Sequence, residues 1–286
     1  MIRSLSPVPY PSMYTFIKLG GSVITDKAGR DAADLPVITR LAAEIAQARV
    51  ANPALRLLIG HGSGSFGHHY AAKYGIHHGL ASDADWMGFA LTAGAALRLN
   101  RIVVDALLAA GVPAIEIQPS SALRSTASQV VAWDTASVAA ALTYGLIPVI
   151  HGDVAFDSQQ GSAIISTEQL LAHLVLATSM RPSRIILVGE DAVYTADPRT
   201  DPYAERIPLI TAANLDAVLH GAGASHAVDV TGGMRSKLDL MWRLVSAVPG
   251  LEVRLIGTRP GLLTDALGAG QIDAGTIIRA DTDRIC

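Results

Sequence analysis

Cysteine is almost absent from this chain: among 286 residues only Cys286 carries a thiol. A single thiol excludes an intramolecular disulfide and a multi-cysteine metal site, and it permits a reducing compartment. There is no basic surplus either. Lys and Arg total 22 against 25 Asp and Glu, a net charge of −3, with no long run of either sign. That argues against a nucleic-acid partner and against a charged tail. The first residues, "MIRSLSPVPYPSM", carry three prolines and no apolar core of signal-peptide length. They read as a loose extension over 1–12, with Met13 as an alternative translation start. No apolar stretch is uninterrupted at bilayer length: "LTAGAALRLNRIVVDALLAAG" (91–111) contains Arg, Asn and Asp, the pattern of a buried helix rather than a membrane span. Internal repeats and low-complexity tracts are also missing, as are a Walker A loop and a G-x-G-x-x-G fingerprint.

What is present is apolar bulk. Half of the residues are hydrophobic, enough for a large core in one α/β domain or two closely joined lobes. Short β-type runs alternate with longer helical patterns. Strands are expected at 13–20, 55–60, 113–117, 145–152, 184–189, 251–257 and 275–280. Helices are expected at 35–50, 86–111, 135–145, 166–179, 211–219 and 234–247, with a hairpin over 153–163. Alternating strands and helices, with strands apolar throughout, imply a mainly parallel sheet covered on both faces. Ligands of such sheets bind beyond the carboxyl ends of the strands.

Three glycine-rich turns follow strand-like runs. In "KLGGSVITDK" (18–27), Lys18 ends the first strand and Gly20, Gly21 and Ser22 follow, with Lys27 close behind. Glycine lets backbone N–H groups approach phosphate oxygens, and lysine adds compact positive charge. The plain alternative is a strand–turn–helix with surface lysines. In "GHGSGSFGHH" (60–69), Gly62, Gly64 and Gly67 form a flexible cradle with Ser63 and Ser65 as donors. His68 closes that loop where a helix is expected to begin, a place that favours anions. His69, His77 and His78 read as ordinary surface or core histidines. In "DVTGGMRSK" (229–237), Gly232 and Gly233 precede a helix presenting Lys237, which alone would be an N-capped helix. Together the three turns describe a site for several phosphates.

"IKLGGSVITDK", "HGSGSFGHHYAAKYG", "HGDVAFD", "VYTADP" and "DVTGGMRSK" occur in the order seen in the amino acid kinase superfamily. The chain resembles that superfamily from about Met13 to the final "GTIIR". Within it, the combination of "GGSVITDK" and "GSFGH" resembles the isopentenyl phosphate kinase family. The resemblance implies a three-layer α/β/α sandwich with a mainly parallel, open central sheet. It implies a single domain, with an acceptor-binding part over about 13–180 and a nucleotide-binding part over about 181–286. The implied reaction is ATP-dependent phosphorylation of isopentenyl phosphate to isopentenyl diphosphate, with Mg²⁺ carried mainly by ATP. The implied partners are these small molecules and a second copy in a homodimer, in the cytoplasm, with neither membrane nor nucleic acid.

By the same resemblance, Lys18 and Lys237 contact the transferring group and the ATP phosphates, and Lys27 neutralises charge on the transferring phosphoryl group. Gly20, Gly21, Ser22 and Gly64 line the phosphates with N–H groups. His68, Ser63 and Gly152 hold the acceptor phosphate. Asp191, Gly232 and Gly233 belong to the nucleotide side. Tyr70, Ala71, Tyr74, Ile76, Met87 and Ala90 are candidates for an apolar tail pocket, or plain core.

Two stretches depart from the family pattern. Ser-Gly-Asp is usual where this chain has Ser166, Thr167 and Glu168. Glu168 either organises the phosphate-binding lysines in place of Asp or belongs to a helix start capped by Ser166, and both readings can hold. In "LVGEDAVYTADP", Val188, Gly189 and Ala192 replace the usual Thr, Asp and Gly, so the nucleotide pocket is modified. Two alternatives stand beside the kinase of isopentenyl phosphate: a fosfomycin-type phosphonate kinase of the same branch, and a non-catalytic nucleotide- or anion-binding regulator.

Overall fold

In chain order, the elements of the computed structural model are β1 (Tyr14–Leu19), α1 (Gly21–Ile24), α2 (Leu35–Ala51), β2 (Arg56–His61), α3 (Gly64–Lys73), α4 (Trp86–Ala109), β3 (Ala114–Glu116), β4 (Leu123–Thr126), β5 (Gln129–Trp133), α5 (Ala136–Thr143), β6 (Ile147–His151), β7 (Asp153–Asp157), β8 (Gly161–Ile165), α6 (Thr167–Ala177), β9 (Pro182–Val188), β10 (Val193–Tyr194), β11 (Arg206–Ile207), β12 (Leu209–Ile210), α7 (Leu215–Ala222), α8 (Gly233–Ala247), β13 (Glu252–Ile256), α9 (Leu262–Leu267) and β14 (Thr276–Arg279). The structure describes residues 14–26, 29–80, 86–222, 233–270 and 272–280. The loose extension with Met13, Lys27, Gly232 and Cys286 lie outside these residues.

An eight-stranded sheet runs β12-β14-β13-β9-β1-β2-β6-β3. Every neighbouring pair is parallel except β13 and β14. The central strands are apolar on both sides, and helices cover both faces. Ile17, Leu57, Ile59, Ile186 and Ile256 pack toward α2, α4 and α9. Phe16, Leu58, Ile185, Leu187 and Leu255 pack toward α5, α6 and α8. This is the expected three-layer α/β/α sandwich with a mainly parallel central sheet. Helix α4 is, among the described residues, the one helix long and apolar enough to span a bilayer, but half of its most apolar window is buried. Its Ala95, Leu99, Val103 and Leu107 lie in the core, which marks it as an internal helix.

Several elements were not foreseen from the sequence. Strands β4 and β5 join β7 and β8 in a separate four-stranded sheet, ordered β5-β4-β7-β8. Its turn residues Ala127 and Ser128 both adopt left-handed φ, 50° and 60°. That conformation normally selects glycine or asparagine, so no turn signal marks it. The Asp157 carboxylate holds it, accepting from the N–H groups of Ala127 (3.1 Å) and Ser128 (2.8 Å) and from Ser125 Oγ (2.8 Å). Burial alone would raise the Asp157 pKa; the donors led by the Ser128 N–H reverse this and bring it down to about 2.

Candidate functional site

A glycine directly follows each of five adjacent parallel strands: Gly152 after β6, Gly62 after β2, Gly20 after β1, Gly189 after β9 and Gly257 after β13. Four of their N–H groups extend the ladder by one step. Gly152 donates to His61 O (3.0 Å), Gly62 to Leu19 O (3.0 Å), Gly20 to Val188 O (2.8 Å) and Gly189 to Ile256 O (2.9 Å). The expected phosphate-lining role of the Gly20 N–H is corrected here, because that donor is engaged in the sheet. Gly152 is in the same position.

The next residues differ. A Cβ on Gly21 would lie 2.5 Å from Gly64 N, and one on Gly62 would lie 2.9 Å from Gly21 N. The turns after β1 and β2 therefore touch backbone to backbone, which only glycine allows. Thr25 links them: its hydroxyl donates to Gly21 O (2.7 Å) and accepts from Ser65 N–H (3.1 Å). The N–H groups of Gly21, Ser22, Ser63 and Gly64 bond to no other described residue. Unpaired amides from two chain segments thus collect at the carboxyl edge of the sheet, an arrangement suited to an anion.

Beside them stand the charges. Lys18, on the face of β1 that carries Phe16, meets Glu168 at 2.9 Å. Glu168 lies in the first turn of α6, where Ser166 and Gln169 form a reciprocal capping box. Gln169 also donates to Ser128 O at 2.9 Å, tying this helix start to the Asp157-held turn. Burial works to raise the Glu168 pKa, but the charges of Lys18 and then Lys237 outweigh it and hold the carboxyl below its usual value. The cap and the lysine contact coexist. Lys18, Lys237, Val188, Gly189 and Glu190 line a small cleft here.

Beneath the glycine turns lies a pair that sequence reasoning missed. His61 and His151 are register partners on β2 and β6, both fully buried, with rings stacked 5.7 Å apart. Each Nδ1–H donates to the carbonyl of the following glycine, Gly62 at 3.1 Å and Gly152 at 3.2 Å. Desolvation lowers both pKa values to about 4, for His61 with help from the His151 charge. His61 is thus neutral with Nε2 as acceptor. Nε2 lies 3.0 Å from Asn100 Oδ1, while the buried Asn100 Nδ2 has no partner; a ring that accepts at Nε2 requires the carboxamide turned over, so that its nitrogen donates. The signal available in the sequence was His-Gly after two apolar strands, at 61–62 and 151–152.

The helix expected to open near His68 begins at Gly64, whose φ is +49°, so His68 sits in the second turn of α3, exposed, and not at a helix start. Ser63 immediately precedes that helix. Asp191 is exposed and lies against Gly257, where a Cβ would be 1.8 Å from its Oδ1. Gly233, with φ +69°, opens α8. Tyr70, Ala71 and Ile76 are core, while Tyr74 packs against Gly88. Met87 is 65% exposed and Ala90 is exposed, so neither lines a closed pocket.

Residues 13–256 match the model of the amino acid kinase family. The isopentenyl phosphate kinase of Methanothermobacter thermautotrophicus is 37% identical over 260 residues, 88% of this chain and 94% of that protein. That of Methanocaldococcus jannaschii is 32% identical, covering 80% and 86%. A solved isopentenyl phosphate kinase structure superposes with a TM-score of 0.77 at 33% identity, covering 93% of this chain and 99% of the other.

Proposed function

Because the chain belongs to the amino acid kinase family, we propose that it transfers the γ-phosphoryl group of ATP to isopentenyl phosphate, giving isopentenyl diphosphate and ADP. The observation that carries this reading is the meeting of unpaired amides at Gly21, Ser22, Ser63 and Gly64 with the Lys18–Glu168 pair and Lys237. The phosphonate kinase and the non-catalytic regulator are not favoured. The relatives matched along most of their length are kinases named for isopentenyl phosphate, and the lysines a kinase needs are retained.

An acceptor phosphate oxygen attacks the γ-phosphorus, the bond from that phosphorus to the β-bridging oxygen breaks, and ADP leaves with the electron pair. The nucleophile is already anionic, so no strong base is required. Positioning and charge neutralisation are the main tasks. Lys18 and Lys237 neutralise the transferring group and the ATP phosphates, with Glu168 fixing their place, and Lys27 adds charge to the transferring phosphoryl. Amides of Gly21, Ser22 and Gly64 receive phosphate oxygens, and Gly20 leaves them room. His68 and Ser63 hold the acceptor phosphate above Gly152. Asp191, Gly232 and Gly233 serve the nucleotide. Among the described residues no group of three or more His, Cys, Asp or Glu could hold a metal. Mg²⁺ would travel with ATP, held by its oxygens and by water. The active assembly is a cytoplasmic homodimer.

A coupled ADP-release assay on isopentenyl phosphate, dimethylallyl phosphate, fosfomycin and acetylglutamate tests this. Turnover of the first, alone or with its isomer, is expected. Preference for fosfomycin would overturn the substrate but keep the site. Silence on all four, with ATP bound, would bring the regulator forward.

A further inference from the structure

A second cavity, of about 310 Å³, lies at the edge of the sheet formed by β12, β14 and β13. It is not part of the cleft described above. Leu255 of β13 borders that cleft, whereas Glu252 and Arg254 border this cavity. Successive side chains of a strand point to opposite faces, so the two sites lie on opposite sides of β13.

The lining holds two chemistries: Arg206, Arg254 and Arg279 stand beside Leu209, Ile272 and Ile277, with Arg254 the register partner of Ile277. The charges do not balance. Glu252 is shared by Arg254, through its Nε, and by Arg184 at 3.7 Å. Asp273 pairs with Arg206 at 2.6 Å but is almost wholly in solvent. Arg279 pairs with no acid among the described residues. Among the described residues, three arginines of the lining, with Arg184 beside them, therefore meet two carboxylates. Arg254 is 8% exposed, and its Nη1 is buried with no hydrogen-bond partner. That Nη1 is closed off from the cavity as well, so an anion in the cavity would meet the remaining edge of the guanidinium and offset the cost of burying its charge. Arginine is also the side chain best shaped to hold a phosphate. The volume is at the lower end of that of small-molecule sites.

We propose that this cavity is a second binding site, for a small phosphate ester carrying a short apolar group. Its phosphate sits among Arg206, Arg254 and Arg279, and its apolar part lies on Leu209, Ile272 and Ile277. The proposal does not depend on which acceptor the catalytic cleft takes.

Isothermal titration calorimetry with n-butyl phosphate at low salt tests it, comparing wild type with Arg254→Met and Arg279→Glu. Wild type is expected to bind one equivalent more than either variant, while kcat for the kinase reaction stays within twofold in Arg279→Glu. If Arg254→Met fails to fold, Arg279→Glu decides alone, since that side chain is exposed. Equal stoichiometry in wild type and the folded variants would overturn the site. Inorganic phosphate is expected to fill the same equivalent at least tenfold more weakly. Equal affinity of the two probes would overturn the assignment of the apolar wall.

Discussion

The turns after β1 and β2 and the turn after β9 look alike in sequence, apolar strand then glycine, yet the protein uses their glycines differently. At Gly21, Gly62 and Gly64 the neighbour is another backbone, closer than a Cβ can tolerate. At Gly189 nothing lies within 4 Å of where a Cβ would be. In the first case glycine is demanded by the fold, which thereby brings together amides that bond to no other described residue. In the second the space beside the glycine faces the cleft shared by Lys18 and Lys237. A glycine-rich turn is thus not one signal but two: close packing of chain on chain, and room for something outside the chain.

The largest expected effect tests the charges beside both kinds of turn. Lys18→Ala should lower kcat by about 10²–10³, the usual cost of deleting a donor aimed at developing charge. Steady-state ADP release measures it, and a loss confined to ATP affinity would remove Lys18 from the transition state. Glu168→Gln should act in the same direction more weakly, since it leaves Lys18 and Lys237 in place without the carboxylate between them.

The glycine comparison itself comes next. Gly64→Ala puts a methyl group 2.2 Å from Thr25 Oγ1 and 2.6 Å from Gly21 O, at a φ of +49°. A stability loss of about 1–3 kcal/mol is expected from overpacking. Gly189→Ala should stay within about 0.5 kcal/mol of wild type, as open-surface changes do, while raising the KM for ATP. Urea unfolding of both variants decides the matter: equal losses would erase the distinction between the turns.

A smaller effect probes the histidines under the packed turns. In the folded protein His61 and His151 titrate near 4, below the ordinary value of 6.5. Between these values the unfolded chain binds more protons, so stability falls as pH drops from 6.5 toward 4. Each histidine contributes up to about 1.4 kcal/mol per pH unit. Asp153 opposes them. Burial raises its pKa to about 6, so it loses stability as pH rises from 3.8 to 6 and cancels about one histidine. The net expectation is a decline toward low pH of at least about 1.4 kcal/mol per unit, because desolvation also lowers the His173 pKa and acts in the same direction. Stability that is flat from pH 6.5 to 4.5 would mean that the pair is not held neutral. The smallest expected change is in folding of His68→Ala: stability should hold, because His68 is exposed, while the KM for isopentenyl phosphate rises about tenfold, the cost of one charge-assisted hydrogen bond.

Much of the fold was legible because its elements follow local rules. Continuous apolar runs gave the strands β1, β2, β6, β9 and β13, and helical periodicity gave α2, α4, α6 and α8. The β4–β5 hairpin escaped because its left-handed turn is Ala-Ser, held by a carboxylate about thirty residues away. Helix α3 was placed too late because Gly64 and Gly67 weaken any helical pattern. At the site, Lys18 and Lys237 stood out beside glycine-rich turns, Glu168 stood out only through the resemblance to a known family, and their proximity is a matter of geometry. The buried His61–His151 pair was missed because nothing in one strand announces its register with the next.

By itself the sequence determined the class of fold, the order of its elements and which residues carry charge or glycine behind the strands, because periodicity, chain-breaking residues and residue type are properties of the local chain. Only the tertiary structure decided which glycines touch one another, which amides find no partner among the described residues, that Gly20 and Gly152 give their N–H groups to the sheet, and that arginines from three strands border one cavity. Those outcomes depend on register and on the packing of segments distant in sequence, and burial then sets the protonation of His61, His151 and Asp153.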